Sequence, residues 1–284
     1  MYMLHPPKRT INELSCEISI EIENLTHFKA FLTIAKKLGN RILVIENLDP
    51  KKKSALIQEK NSEKLVSPQI VCAESNTDIR DESDCEKFLL SALINEPTLL
   101  MLVSKKTIQE NSIEKVKAQL ANYRPHYDII SVYTTDDKVV KWAAHDRRVD
   151  FIVIDTFNYK IVDRALCSLI KQYNKSFEIR LSDIIDFTNP KSLSEAIRKG
   201  KKIFKVILDE KVSFVLTANP KKPTHMRSGD QLRALSSLCD VPYNKTRGST
   251  NTIPLKIIAK NILKADEYYV IEGVREVKND DNTC

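Results

Sequence analysis

Glycine is scarce in this chain: five stand among 284 residues, and none forms part of a GxGxxG, Walker A or GxSxG motif. Loops that cradle phosphate groups depend on closely spaced glycines, because the backbone must approach the ligand. The composition therefore argues against a nucleotide-binding loop. A scattered nucleophilic triad is compatible with any sequence, but no motif here favours one.

Paired cysteines are absent as well. The six cysteines are widely spaced along the sequence and include no CxxC pair, which argues against a zinc ribbon or a disulfide framework. No apolar run reaches membrane-spanning length, and the first residues lack the charged-then-apolar pattern of a signal peptide. We therefore expect a cytoplasmic protein with reduced thiols and no membrane partner.

None of the five histidines stands at the spacing of paired metal ligands. Four carboxylates lie near predicted strand ends: Glu21, Glu46, Asp155 and Glu178. An oxygen-only magnesium site built from them stays open, although such carboxylates more often pair with cations or cap helices. We predict no metal site and no catalytic residue in the chain.

Short apolar runs alternate with helical patterns along most of the chain. Predicted strands cover residues 16–22, 41–46, 99–103, 128–133, 151–154, 177–181 and 214–217. Predicted helices follow at 26–38, from 112, at 138–145, at 161–173 and from a capping box at 192–195 through 207. This order predicts an α/β fold with mostly parallel strands, closed as a TIM-like barrel.

We expect one domain over residues 1–284. Residues 49–97 interrupt the rhythm with mixed charge and few apolar residues, so we interpret them as an insertion outside the core that tolerates deletion. Residues 262–284 form a short C-terminal extension, in which 268–274 could add an edge strand or an eighth barrel strand.

The residues from 214 to 233 combine a buried strand, a cationic loop and a helix start. Lys221, Lys222 and Arg227 occupy the loop, and Ser228 with Gln231 fits a capping box. Free amides and the positive end of a helix dipole suit a phosphate, so these three cations are predicted to bind RNA. Asp230 in the first helical turn weakens that argument.

Positive charge is concentrated in the second half of the chain. The net charge is +7, and residues 198–260 hold fourteen lysines and arginines against four carboxylates. Arg147 and Arg148 precede the fifth strand, which puts them at the opposite end of a barrel, where they contact RNA or pair with Asp146 and Asp150. Such charge favours a polyanionic partner, and the lack of RRM or KH signatures favours recognition of RNA backbone and shape.

Four stretches carry a resemblance to a known family: FVLTANPKKPTHMRSGDQLR at 214–233, NTIPLKIIAKN at 251–261, DRRVDFIVI at 146–154 and FEIRL at 177–181. Together they resemble ribonuclease P protein component 3, the archaeal family similar to the eukaryotic 30 kDa subunit. That resemblance implies a TIM-like barrel related to the PHP metallo-phosphoesterases but without their metal site.

The resemblance also implies a role in the endoribonuclease ribonuclease P, which removes the 5′ leader from precursor tRNA. In that holoenzyme the RNA subunit would cut the phosphodiester with bound magnesium, and this chain would hold no cofactor. Its expected partners are ribonuclease P RNA, other protein subunits including a Pop5-like one, and precursor tRNA indirectly.

Two alternatives stay open. One is a self-sufficient PHP-like phosphoesterase, against which the absence of an HxH pair argues. The other is a barrel that serves only as a scaffold for protein interactions.

Overall fold

The computed structural model describes residues 14–58, 64–73, 79, 81–96 and 98–265, together with the backbone of 269–271 and 274–275. One parallel sheet organises the fold, with the strand order β1-β2-β4-β5-β6-β7-β8 and with β3 paired to β4 beside this path. Its strands are β1 (Ser15–Ile20), β2 (Asn40–Glu46), β3 (Leu65–Val66), β4 (Leu100–Gln109), β5 (Ile129–Tyr133), β6 (Phe151–Ile154), β7 (Ser176–Arg180) and β8 (Phe214–Thr217).

Helices alternate with these strands, as parallel pairing requires. They are α1 (Leu25–Leu38), α2 (Pro50–Gln58), α3 (Pro68–Ala73), α4 (Glu82–Asn95), α5 (Ile113–Tyr123), α6 (Asp137–His145), α7 (Arg164–Gln172), α8 (Ser182–Ile185), α9 (Pro190–Asp209), α10 (Gly229–Ser237) and α11 (Thr252–Lys264). The predicted α/β barrel of parallel strands and helices is confirmed.

The seam between β1 and β8 is bridged by an irregular segment instead of a direct ladder. The Leu216 amide donates to the Ser249 carbonyl at 3.1 Å, and the Cys16 amide donates to the Thr250 carbonyl at 2.7 Å. Residues 249 and 250 thus satisfy backbone groups of both edge strands, which would otherwise be costly to bury. The result is a nearly closed barrel.

The interior of the barrel changes character from one end to the other. Near the N-terminal ends of the strands, apolar residues such as Val44, Met101 and Phe151 form one core with buried residues of α4 and α11. Further along the same strands, inward positions carry polar side chains, among them Glu17, Lys105 and Glu178. The apolar half provides a core, and the polar half leads to the C-terminal end where barrel enzymes carry their sites.

Local signals placed several element ends correctly. Helix α1 begins after Asn24, whose side chain accepts from the His27 amide, and it ends at Gly39 with φ 75° in the left-handed region. The predicted start of α9 at residue 192 is wrong. The helix begins at Pro190, because Asn189 is the N-cap and Ser192 completes its capping box.

The described residues of the 49–97 segment do not all lie outside the core as expected. Helix α4 buries Cys85, Leu89 and Leu93 against α11 and the apolar end of the barrel. The Arg41 guanidinium of β2 fixes the end of this helix by donating to the carbonyl of Glu96 at 2.6 Å. One charge of the segment is buried as well, because Lys53 Nζ lies 2.6 Å from Oδ2 of Asp128. The few apolar residues of α4 therefore suffice to attach the segment to the barrel core.

A substitution in α4 checks this correction. Leu89 is fully buried, whereas Ile70 of α3 is 40% exposed. Leu89→Ala is expected to lower the free energy of unfolding by about 3 kcal/mol, because it removes buried methyl groups and leaves a cavity. Ile70→Ala is the matched control and should change stability by less than about 1 kcal/mol. Equal, small losses in urea titrations of both variants would restore the view that the segment is dispensable.

The C-terminal extension does not supply a barrel strand in the described backbone. Residues Tyr269–Ile271 (β9) and Val274–Arg275 (β10) pair antiparallel with each other in a separate two-stranded sheet. Residues 268, 272 and 273 of the predicted strand lie outside the described residues. Within the described residues, no helix is both long enough and apolar enough to cross a membrane.

Candidate functional site

A buried lysine occupies the centre of the polar half of the barrel. Lys105 of β4 is fully buried, and its Nζ lies 2.5 Å from Oε2 of Glu178 and 2.9 Å from Oε1 of Glu46. Its ammonium also donates to Ser19 Oγ of β1, and Ser19 donates in turn to Glu178 at 2.6 Å. One cation therefore holds side chains from four strands together.

Arg180 adds a second buried cation at the end of β7. It donates to Glu46 at 2.9 Å and to Glu178 at 3.1 Å. Burial alone would raise the pKa of Glu178, but the charges of Lys105 and Arg180 lower it to about 2. Two carboxylates and two cations thus neutralise one another inside the barrel.

Glu17 of β1 has no such cation. Its Oε1 accepts from the Thr217 hydroxyl at 2.6 Å and from the Ala218 amide at 3.1 Å, while Oε2 has no hydrogen-bond partner among the residues that the structure describes. Burial raises the pKa of Glu17 to about 8, although the two hydrogen bonds oppose the shift. This carboxyl is protonated at neutral pH and sits at the seam between β1 and β8.

A polar cavity of about 360 Å³ opens above this network at the C-terminal ends of the strands. We call it the mouth cavity. Its lining includes four carboxylates, Glu21, Asp155, Asp183 and Asp186, together with Arg180, Lys221 and His225. Arg180 is already neutralised by its glutamates, so carboxylates dominate the open part of the cavity.

The loop after β6 is held rigidly at the mouth. Asp155 Oδ1 accepts from the amides of Phe157 and Asn158, at 2.7 and 3.1 Å. The Asn158 side chain donates to the carbonyls of Thr134 and Val153, at 3.1 and 2.8 Å. These bonds fix a loop that leaves Phe157 74% exposed. The Tyr133 hydroxyl also donates to Asp155 Oδ1, at 3.4 Å. Burial and the charge of Asp155 raise the pKa of Tyr133 to about 12.

The four carboxylates singled out from the sequence do not form one site. Glu46 and Glu178 are bound to Lys105 and Arg180 inside the barrel, while Glu21 and Asp155 line the mouth cavity. Across the described part of the chain, no group of three histidine, cysteine or carboxylate side chains is arranged to hold a metal ion. The ammonium of Lys105 supplies the positive charge that balances Glu46 and Glu178.

The cationic loop runs along the barrel instead of gathering at one helix end. Pro220 accepts from the Glu21 amide where β1 ends, whereas the Arg227 carbonyl accepts from Asn40 Nδ2 where β2 begins. The predicted capping box of Ser228 and Gln231 is confirmed. The structure nevertheless separates Lys221 from Arg227, so the expected grouping of three cations at the start of α10 is wrong.

Within this loop the cations differ in their surroundings. Lys221 and Lys222 are exposed and make no ion pair within the described residues. The Arg227 guanidinium donates to the carbonyls of Thr224 and Met226, both at 2.8 Å, and thereby orders the loop. Asp230 in the following helical turn is held by Arg233 and by Tyr243 at 3.1 Å.

Arg147 and Arg148 lie at the N-terminal end of the barrel, just before β6, as predicted. Arg148 pairs with Asp146 through two hydrogen bonds of 3.0 and 2.7 Å. Arg147 is exposed and forms no ion pair in the described structure. The predicted ion pair between this arginine pair and Asp146 is therefore present. The one with Asp150 is not, because Asp150 binds Arg124 at 2.6 Å.

Sequence reasoning did not predict that further cations gather at this end of the barrel. Burial lowers the pKa of Lys264 in α11, and the positive charges of Lys260 and Arg124 lower it further. The negative charge of Asp150 raises the same pKa. These groups are therefore close enough to interact with one another. Their position follows from α11 closing the barrel, where Asn261 Nδ2 donates to the Asp128 carbonyl at 2.9 Å. No linear motif signals this convergence.

Parallel strands that alternate with helices around a charged interior make this chain a TIM-barrel-like α/β protein. A model of the family described as RNase P subunit p30 matches residues 15–266. The chain belongs to this family and is thus a protein subunit of ribonuclease P. No curated protein matches the chain in a sequence comparison.

Comparison with solved structures finds similar chains. A chain from a cryo-EM structure of archaeal ribonuclease P with mature tRNA is similar with a TM-score of 0.63 at 16% identity, covering 93% of this chain and 99% of the other. A crystal structure of an uncharacterised protein gives 0.49 at 10% identity, covering 86% and 73%. Histidinol phosphate phosphatase from Lactococcus lactis, bound to zinc, L-histidinol and phosphate, gives 0.39 at 8% identity, covering 80% and 93%.

Proposed function

We propose that this subunit binds ribonuclease P RNA and supports RNA-catalysed removal of the 5′ leader from precursor tRNA. The family match over residues 15–266 is the observation that carries the proposal. The expected partners are ribonuclease P RNA, other protein subunits including a Pop5-like one, and precursor tRNA indirectly. Exposed cations would lower phosphate repulsion where RNA segments pack closely.

In this proposal the chain performs no phosphodiester chemistry of its own and binds no cofactor. The support is the interior of the barrel, where Lys105 and Arg180 already compensate Glu46 and Glu178. A divalent cation placed there would be repelled by two buried positive charges. Magnesium belongs, in this account, to the RNA subunit.

For the RNA contact we favour the N-terminal end of the barrel, with Arg147 as its exposed cation. Lys260 and Lys264 lie at the same end and add positive potential around it, whereas Asp150 neutralises Arg124. Arg148 contributes less, because Asp146 neutralises it. Lys221 and Lys222 are further candidates at the opposite end, whereas Arg227 serves the loop itself.

Salt titrations of binding to ribonuclease P RNA test this assignment. Arg147→Ala should lower the slope of log affinity against log salt by about 0.7 to 0.9, the value of one phosphate contact, and leave melting unchanged. The double variant Lys221→Ala, Lys222→Ala should lower the salt slope by about 0.7 to 0.9 for each phosphate that these lysines contact. Arg227→Ala is the control: melting should fall while the slope stays constant. An unchanged slope in both test variants would refute the assigned contacts.

A further inference from the structure

The C-terminal end of the barrel is acidic and aromatic, although the chain as a whole is positive. Glu21, Asp155 and Asp183 line the mouth cavity, and Phe157 stands 74% exposed at its edge. Carboxylates outnumber Lys221 in this lining, so RNA phosphates are repelled from the cavity itself, whereas Lys221 and Lys222 stay RNA candidates through the exposed loop that carries them. A rigidly held, exposed aromatic residue is instead typical of a protein contact, where it serves as an anchor.

An apolar groove of about 800 Å³ continues from the mouth cavity and shares Glu21 and Lys221 with it. Leu25, Phe28 and Leu56 provide apolar lining, and Leu25 is 42% exposed. An occupant of both spaces therefore needs a cationic part for the mouth and an apolar part for the groove.

Unpartnered acceptors define the chemistry of that occupant more closely. Asn219 lines the mouth cavity and Glu46 lines the groove, and each is 7% exposed. Within the described structure, Asn219 Oδ1 and Glu46 Oε2 have no hydrogen-bond partner. Lys105 and Arg180 already balance the charge of Glu46, so Asn219 is the informative case. A buried acceptor without a donor is costly, so an N–H group that reached Asn219 Oδ1 from the mouth cavity would be favoured.

From these observations we propose that the mouth cavity and the adjoining groove bind an arginine-containing segment of another protein subunit. A guanidinium supplies five N–H donors in a planar fork, pairs with carboxylates, and stacks on an aromatic face such as that of Phe157. A neighbouring apolar side chain of the same segment fills the groove beside Leu25. This inference deepens the proposed function and rests on its protein partners.

A fluorescent synthetic peptide of alternating arginine and leucine, separated by glycine, is a direct probe. We expect saturable binding to the full chain. The matched lysine peptide should bind about tenfold more weakly, because an ammonium cannot form a planar bidentate contact with a carboxylate or stack on an aromatic ring as a guanidinium does. Phe157→Ala and Asp183→Asn should each weaken arginine-peptide binding by about tenfold, the loss of roughly one good contact. Asp209→Asn is the control, since Asp209 is exposed at the end of α9, away from the mouth, and should change nothing.

Binding to ribonuclease P RNA is measured on the same variants, so that the two proposals fail separately. Unchanged RNA affinity in Phe157→Ala, with weakened peptide binding, supports a protein-binding mouth. Absence of saturable peptide binding, or equal losses in Asp209→Asn, overturns the inference while leaving the RNA role intact. Loss of RNA affinity in Phe157→Ala also overturns it, because the mouth would then be an RNA site. Failure of RNA binding in the unmodified chain would refute the proposed function alone.

Discussion

Replacing Lys105 by methionine is expected to lower the free energy of unfolding by about 3 to 5 kcal/mol, because it leaves buried carboxylates without their cation. Lys105 Nζ contacts both Glu178 and Glu46 and is fully buried. Methionine has similar length, so the loss would reflect charge and hydrogen bonding more than packing. Urea titration monitored by circular dichroism measures it.

Two further variants separate this effect from a general loss of a lysine. Lys106→Met changes the next residue of β4, whose ammonium lies over the Tyr123 ring at 4.7 Å, and should cost less than about 1 kcal/mol. Adding Glu178→Gln to Lys105→Met should recover part of the loss, because it removes one uncompensated charge. A loss below about 1 kcal/mol in Lys105→Met would contradict the buried network.

Stability is expected to fall as pH rises from about 5 to 8, and Glu17→Gln should remove that fall. The folded state raises the pKa of Glu17 from 4.5 to about 8, so within this window the folded chain binds a proton that the unfolded chain has released. Each pH unit of the window then costs about 1.4 kcal/mol, or about 4 to 5 kcal/mol in all. Above pH 8 the cost is complete and constant.

Glutamine preserves the acceptor that Glu17 offers to Thr217 and Ala218 but cannot ionise. The variant should therefore match the unmodified chain near pH 5 and exceed its stability near pH 8. Glu178 provides a contrast, because its pKa is lowered to about 2 and its contribution disappears only as pH falls through the acid range. Parallel pH profiles for the unmodified chain and Glu17→Gln would show that Glu17 is not the titrating group.

The strands were largely predictable, because apolar runs of β-branched residues have one interpretation in a parallel barrel. The predicted 151–154 and 214–217 match β6 and β8. Isoleucine alternates with polar residues in β1, which distinguishes two faces of the strand but does not show which face points inward. Only barrel closure turns Glu17 and Ser19 inward, where both are fully buried.

Lys105 could not be recognised from the sequence. The predicted strand ended at residue 103, and a lysine pair in a polar stretch is usually exposed. β4 continues to Gln109, because the barrel supplies partners from β1, β2 and β7 to the inward positions of its second half. Long-range pairing, and not local pattern, decides its burial.

The same limit applies to the candidate contacts. A capping box placed the start of α10, but local signals carry no information on where the preceding loop travels, so the separation of Lys221 from Arg227 was out of reach. Only three buried side chains attach α4 to the core, and the mixed charge around them hides this pattern in the sequence.

Cleavage of precursor tRNA at limiting magnesium tests the central claim most directly. Four reactions are compared: the chain alone, ribonuclease P RNA alone, the two together, and the two together with the Arg147→Ala chain. The account predicts no cleavage by the chain alone, and a rate for the pair that exceeds that of RNA alone and falls in Arg147→Ala. Leader removal by the chain without RNA, lost on substituting Glu21 or Asp155, would contradict it.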